Sequence, residues 1–310
     1  MPEIVVGIDD SAGAQDALAF ATRIATRTGA SLRLASAYPY DDMPSRASNG
    51  AYREFLRADT QALLDRAAVA TEAAVSATEA IADHSPPHAL HELTERIDAA
   101  LVVVGSTRRG PVGRILPGST GERLLHDSPC PVTIVPRSYV GGGPIRIVGV
   151  WYDGSSESAA ALAAACQLAR QFGAAVRVIR VFDAGRVGAP ALMTIPGYVG
   201  SDAARETRMR KGLQDAVAEL PADLRPEPVF VLGGVGRELV AQSALVDLLL
   251  VGSRGYHPRT AAALGGATHT LLRKAACPVI VLPRGSRGLE ALFAPAAETA
   301  ATPAPEFAAS

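Results

Sequence analysis

The sequence predicts an α/β fold built twice: two tandem doubly wound domains, each a five-stranded parallel sheet with helices on both faces. Three observations carry this. Residues 4–18, IVVGIDDSAGAQDAL, align without a gap on residues 148–162, VGVWYDGSSESAAAL, at an offset of 144, and residues 101–137 align on 248–284 at an offset of 147. Within each repeat, short apolar runs alternate with segments of helical period. The composition is 48% hydrophobic but only 5% aromatic, with abundant alanine. That suits a core of Val, Leu, Ile and Ala in strands buried on both faces. A length of 310 residues accommodates two such domains.

Taken in order, residues 4–9 form a short apolar strand. Residues 14–28 form a helix because Ala17, Leu18, Ala21, Ile24 and Ala25 recur on one face, and Gly29 stops it. A second strand covers 31–37, a long Ala-rich helix 52–73, a weak strand 75–82 and a helix 88–97. The continuous apolar run 101–104 is the fourth strand, followed by a helix over 118–127 and a last strand at 132–135. The second half repeats this with strands near 145–151, 176–182, 228–232, 248–251 and 279–282. Alternating strands and helices imply a parallel sheet, whose ligands sit beyond the carboxyl ends of the strands where strand order switches. The expected divisions are a first domain over 1–137, a Gly-rich linker over 138–144 (SYVGGGP), a second domain over 145–284 and a tail over 285–310. The tail carries one short helical turn around 289–293.

Several function classes find no support. A formal net charge of -1 gives no electrostatic reason for a nucleic-acid or anionic-membrane partner. No apolar run is long enough to span a bilayer, and no basic segment precedes an apolar one at the start. Cys130, Cys166 and Cys277 lie far apart without zinc spacing, which points to a reducing compartment and a cytoplasmic location. The stretch GSTRRG (105–110) has P-loop spacing, but Pro111 and Val112 follow where Lys and Ser/Thr are needed. His84, His88 and His91 lie near Glu92, yet Pro86 and Pro87 interrupt the segment, so it reads as solvated loop. His126, His257 and His269 read as solvated surface, and Cys130 and Cys277, each before Pro-Val, as small buried residues.

The residues that point to chemistry occur twice. After the fourth strand of the second half stand Gly252, Gly255 and Gly265. The first half has Gly105 and Gly118, with Arg108 at the middle position. Glycine lets backbone N–H groups approach a phosphate without a Cβ in the way, and the last glycine opens a helix whose N-terminus favours anions. Ser119, Thr120 and Thr268 add hydroxyl donors. The bland alternative is that the glycines only make a tight strand-to-helix connection. Asp9 and Asp153 each end the first strand of their half just before a Ser, where a carboxylate either accepts from ribose hydroxyls or caps the following helix.

A strand–Asp–x–Ser opening, a G-x2-G-x9-G-[ST] loop and a final strand after CPV together resemble the universal stress protein family, twice over nearly the whole chain. The resemblance implies an adenine nucleotide alpha hydrolase-like fold and an ATP-binding stress sensor or regulator rather than an efficient catalyst, with Mg²⁺ riding on the phosphates. The alternatives are an interaction module without nucleotide, or a slow ATPase or autophosphorylating protein. Carried onto this chain, the ribose contact is Asp9 or Asp153, and the residue ending the second strand is Ala37 or Val181. The phosphate loop is Gly105 to Thr120, or Gly252 to Thr268 with Ser253, Gly266 and Ala267. Arg108 replaces a glycine in the first loop, as an obstruction or as a phosphate ligand. Gly266 replaces a hydroxyl in the second. The second loop keeps all three glycines and is expected to bind more tightly. In the family-like strand order 132–135 and 279–282 are sheet edges. An uncovered apolar edge invites aggregation, so the two halves are expected to pair there, with a homodimer left open.

Overall fold

A computed structural model describes residues 1–39, 50–106, 120–137, 139, 143–183, 199–253, 266–285 and 289–293. The first half runs β1 (Glu3–Gly7), α1 (Ala12–Thr28), β2 (Ser31–Tyr38), α2 (Gly50–Val69), β3 (Val75–Ala82), α3 (Pro86–Arg96), β4 (Leu101–Gly105), α4 (Thr120–Asp127) and β5 (Val132–Val135). The second half repeats it with β6 (Ile147–Trp151), α5 (Ser156–Phe172), β7 (Ala175–Phe182), α6 (Val199–Ala218), β8 (Glu227–Leu232), α7 (Val235–Ser243), β9 (Leu248–Gly252), α8 (Gly266–Lys274) and β10 (Val279–Leu282). Leu289–Phe293 forms a 3₁₀ turn.

The repeat extends to the helix ends. Ser11 caps α1 by accepting from the Ala14 N–H, and Ser155 caps α5 by accepting from the Ser158 N–H, both at 3.2 Å. Both helices stop at a left-handed glycine, Gly29 (φ 71°) and Gly173 (φ 64°), where a side chain would be strained. One local expectation fails. Pro86 and Pro87 do not break the third helix but begin it. The first turn of a helix has no intrahelical N–H bond for proline to lose.

Within each half the strands are parallel, and the halves join into one ten-stranded sheet ordered β3-β2-β1-β4-β5-β10-β9-β6-β7-β8. The junction is antiparallel, with Ile134 opposite Val279, Thr133 opposite Ile280 and Val132 opposite Val281. Thr133 and Ile280 are equivalent positions of the repeat, so a pseudo-twofold axis passes between them. Pairing the two apolar edges removes both from water. One face of the sheet buries Phe20 and Ile24 of α1, Leu64 of α2, Leu168 of α5 and Leu213 of α6. The other buries Leu90 and Leu93 of α3, Leu125 of α4, Leu239 of α7 and Leu271 of α8. The linker is pinned to α1: Tyr139 meets the Phe20 ring edge-on at 5.6 Å, and Arg23 donates to the Tyr139 hydroxyl at 3.0 Å. Strand order reverses between β1 and β4, and again between β6 and β9. That reversal opens a crevice at the carboxyl ends of those strands.

Candidate functional site

In the first half the crevice is a cleft with about 610 Å³ of empty space, open solvent included. Its lining brings together four residues singled out from sequence: Asp9, Ala37, Gly105 and Thr120. Arg108, Gly118, Ser119, Gly255 and Gly265 lie outside the described residues. The cleft runs between the ends of β1, β2 and β4 and the start of α3, where Pro86, Ala89 and Leu90 form its roof.

Its floor is made of small residues. Gly7 ends β1 and is paired in register with Ala35 of β2, and Ala37 lies two residues further along β2 on the same face. A Cβ on Gly7 would already stand 3.0 Å from Leu90 Cδ1 and 3.1 Å from Val104 Cγ1. The repeat places Trp151, Ile179 and Val181 at these three positions in the second half. Trp151 is paired in register with Ile179 and packs on the core of that face. The equivalent space is therefore occupied by side chains. Arg180, standing where the first half has Ser36, donates from Nη2 to the Asp153 carbonyl at 3.0 Å and lies 5.8 Å from the centre of the Tyr152 ring. The floor residues Gly7 and Ala35 were missed by motif reading. The signal was present in the alignment, where Gly7 faces Trp151 and Ala35 faces Ile179.

Asp9 is not the N-cap of α1, which is Ser11. Its Oδ1 accepts from the Ser11 N–H at 3.1 Å and from the Ser11 hydroxyl. Asp9 thus orients the capping serine rather than capping α1 itself, and Oδ2 keeps its acceptor capacity at the rim of the cleft. Asp153 holds Ser155 the same way, at 2.9 Å from its N–H and 2.6 Å from its hydroxyl.

Gly105 has a packing role. A Cβ there would land on the backbone of Gly13 in the first turn of α1, within 2.8 Å of its Cα. A Cβ on Gly252 would come within 2.6 Å of the Glu157 carbonyl carbon and oxygen. Both glycines let a helix start press directly on a strand end. The other second-half residues singled out sit at the start of α8. Thr268 is buried there, and a Cβ on Gly236 of α7 would come within 3.1 Å of the Ala267 Cα. Gly266 accepts from the Thr270 hydroxyl through its carbonyl at 2.6 Å. Ser253 is buried, and its hydroxyl has no described partner.

The histidines of the α3 region are engaged locally. His88 Nδ1 lies 2.6 Å from Asp83 Oδ2, and its Nε2 lies 3.4 Å from Glu92 Oε1. The hydrogen bond that His88 donates to the Asp83 carboxylate pushes the imidazole pKa up. Among the described residues no three His, Cys, Asp or Glu side chains gather as a metal site, and no helix is long and apolar enough to cross a membrane.

Doubly wound halves, joined edge to edge, with a crevice at a strand-order switch, define a tandem α/β protein. The profile of the universal stress protein family matches residues 1–136 and again 144–283. The chain belongs to that family, as a two-domain member. One universal stress protein of Mycobacterium tuberculosis is 28% identical over 200 residues, covering 63% of this chain and 68% of its own. Another from the same organism is 27% identical over 225 residues, covering 70% and 72%. The fold is shared with a solved universal stress protein of Archaeoglobus fulgidus at a TM-score of 0.62 and 18% identity, over 91% of this chain and 96% of that one.

Proposed function

We propose that this stress-response protein binds an adenine nucleotide, ATP in the first instance, in its first half only. The carrying observation is the contrast between the two floors: Ala35 and Ala37 line an open cleft, whereas the second half has Ile179 and Val181 at those positions and packs Trp151 where Gly7 stands. This reverses the ranking expected from the glycine loops alone, which compares phosphate cradles and ignores where the base must lie.

In this reading the base enters the apolar slot under Ala89 and Leu90. Asp9 Oδ2 accepts from the ribose hydroxyls. Thr120, at the N-terminus of α4, faces the phosphates with the positive end of the helix dipole behind it. Mg²⁺ is carried on the phosphates, as is usual where substrate oxygens supply most of its ligands. The protein then acts by holding or releasing nucleotide, as a regulator rather than an efficient catalyst.

Titration calorimetry with MgATP tests this. One site per chain is expected. Copying the second half's floor into the first with Ala35→Ile and Ala37→Val should abolish binding, at an overpacking cost of about 1–3 kcal/mol that leaves the protein folded. Two equal sites, no binding, or an unaffected double variant would each overturn the assignment.

A further inference from the structure

A second cleft, with about 590 Å³ of empty space including open solvent, lies at the seam between the halves. The two clefts share no lining residue, but consecutive residues after β4 face them: Gly105 lines the first and Ser106 the second. The reason is topological. β5 and β10 are antiparallel, so the carboxyl end of β5, which opens on the first half's crevice, lies beside the start of β10. The last turn of α8 leads into that start. The cleft thus has one wall from the first half, with Pro136 and Arg137, and one from the second, with Arg273 and Lys274.

Its charge is one-sided. Arg137, Arg273 and Lys274 line it, and among the described residues no carboxylate does. None of the three is paired with a described residue, although ion pairs are common elsewhere on this surface. Basic residues in the last turn of a helix are favoured by the dipole, which is the bland account of Arg273 and Lys274. It does not account for Arg137, which comes from the other half and also lines a neighbouring cavity that holds Asp247. The pseudo-twofold copy of this seam is built differently. The repeat places His126 and Asp127 where this seam has Arg273 and Lys274. Arg284, the counterpart of Arg137, is tied to Glu157 at 3.3 Å. The cations therefore gather beside the half whose floor is open, not beside the half whose floor is filled.

We propose that Arg137, Arg273 and Lys274 form a clamp for the polyphosphate tail of a nucleotide seated in the first half. The second half then serves as part of the first half's site rather than as a second site. The proposal rests on reading the first cleft as a nucleotide site. A tail leaving that cleft past Gly105 meets three positive groups, two of them on the far side of the domain seam. Charge-assisted contacts there favour tri- and diphosphates over the nucleoside, and occupancy ties the two halves together.

Calorimetry on the full chain tests this with three probes: ATP, adenosine and inorganic tripolyphosphate. In Arg273→Ala/Lys274→Ala, ATP and tripolyphosphate should bind about tenfold more weakly or worse, while adenosine changes less than about twofold. The dependence of ATP affinity on salt should also flatten relative to the parent. Arg208→Ala, on α6 beyond the seam, removes one charge elsewhere and should leave all three affinities unchanged. An unchanged ATP affinity in the double variant, an equal loss for all three probes, or an equal loss in Arg208→Ala overturns the clamp. So does a parent protein that binds neither ATP nor tripolyphosphate. A parent that binds tripolyphosphate through these residues but not adenosine upholds the clamp and sinks the nucleotide reading.

Discussion

Adding one methyl group at Gly105 separates two reasons for a glycine at the end of β4. If that glycine exists only to let a phosphate approach, Gly105→Ala harms binding and leaves the empty protein as stable as before. The structure gives a different expectation. The new Cβ would sit on the Gly13 carbonyl and within 2.8 Å of the Gly13 Cα, where carbon atoms normally keep about 3.5–4 Å. Backbone stands on both sides of the clash, so no rotamer change relieves it. The start of α1 has to retreat from β4 by roughly 1 Å, which loosens the cap at Ser11 and its link to Asp9. Overpacking of this kind costs about 1–3 kcal/mol and occasionally more. Gly→Ala lowers the entropy of the unfolded chain by an amount worth about 0.4–1 kcal/mol, a partial offset. A net loss of about 1–2 kcal/mol is therefore expected. Urea unfolding without nucleotide measures it. Gly252→Ala should behave alike, because its Cβ meets the Glu157 backbone at 2.6 Å. Gly266→Ala, whose Cβ meets nothing within 4 Å, should be near neutral. A Gly105→Ala protein within about 0.5 kcal/mol of the parent, the ordinary scatter of neutral substitutions, would refute the packing argument.

Other expectations follow from the same geometry. Thr133 is fully buried at the pseudo-twofold axis, and its hydroxyl has no described partner. Thr133→Val keeps the shape and removes the orphaned group, so the urea midpoint should rise by the equivalent of about 1 kcal/mol; a fall would contradict this. Burial pushes the thiols of Cys130 and Cys277 up to about 12 and raises that of Cys166 as well. Since the thiolate is the reactive form, a thiol reagent at pH 8 should label none of the three in the native protein and all three after unfolding. Fast labelling of the native protein would show that these thiols are accessible. Residues 1–140 expressed alone leave β5 unpaired and should give a dimer or an insoluble product by size-exclusion chromatography. A stable, soluble monomer would show that the edge is tolerated.

The duplication, the order of elements and the stop of the first helix at Gly29 were legible in the sequence because they depend on local signals. Glycine after a helix and apolar runs at fixed spacing act within a few residues of where they stand, whereas the capping role offered to Asp9 and Asp153 belongs to Ser11 and Ser155. The same locality located Asp9, Ala37, Gly105 and Thr120 at one end of the first sheet. It misjudged Pro86 and Pro87, since whether a proline breaks or opens a helix depends on which turn it occupies. Loop glycines alone rank the second half's site first, and the proposed first-half site would reverse that ranking. What only the tertiary structure decided is which half has room. That depends on Gly7, Ala35 and Ala37 lying side by side on one face, under a helix some fifty residues away in sequence. It depends equally on the antiparallel join that brings Arg273 and Lys274 to Ser106. Cleft volume and gathered charge are sums over residues that strand pairing makes neighbours, and no local stretch of sequence contains those sums.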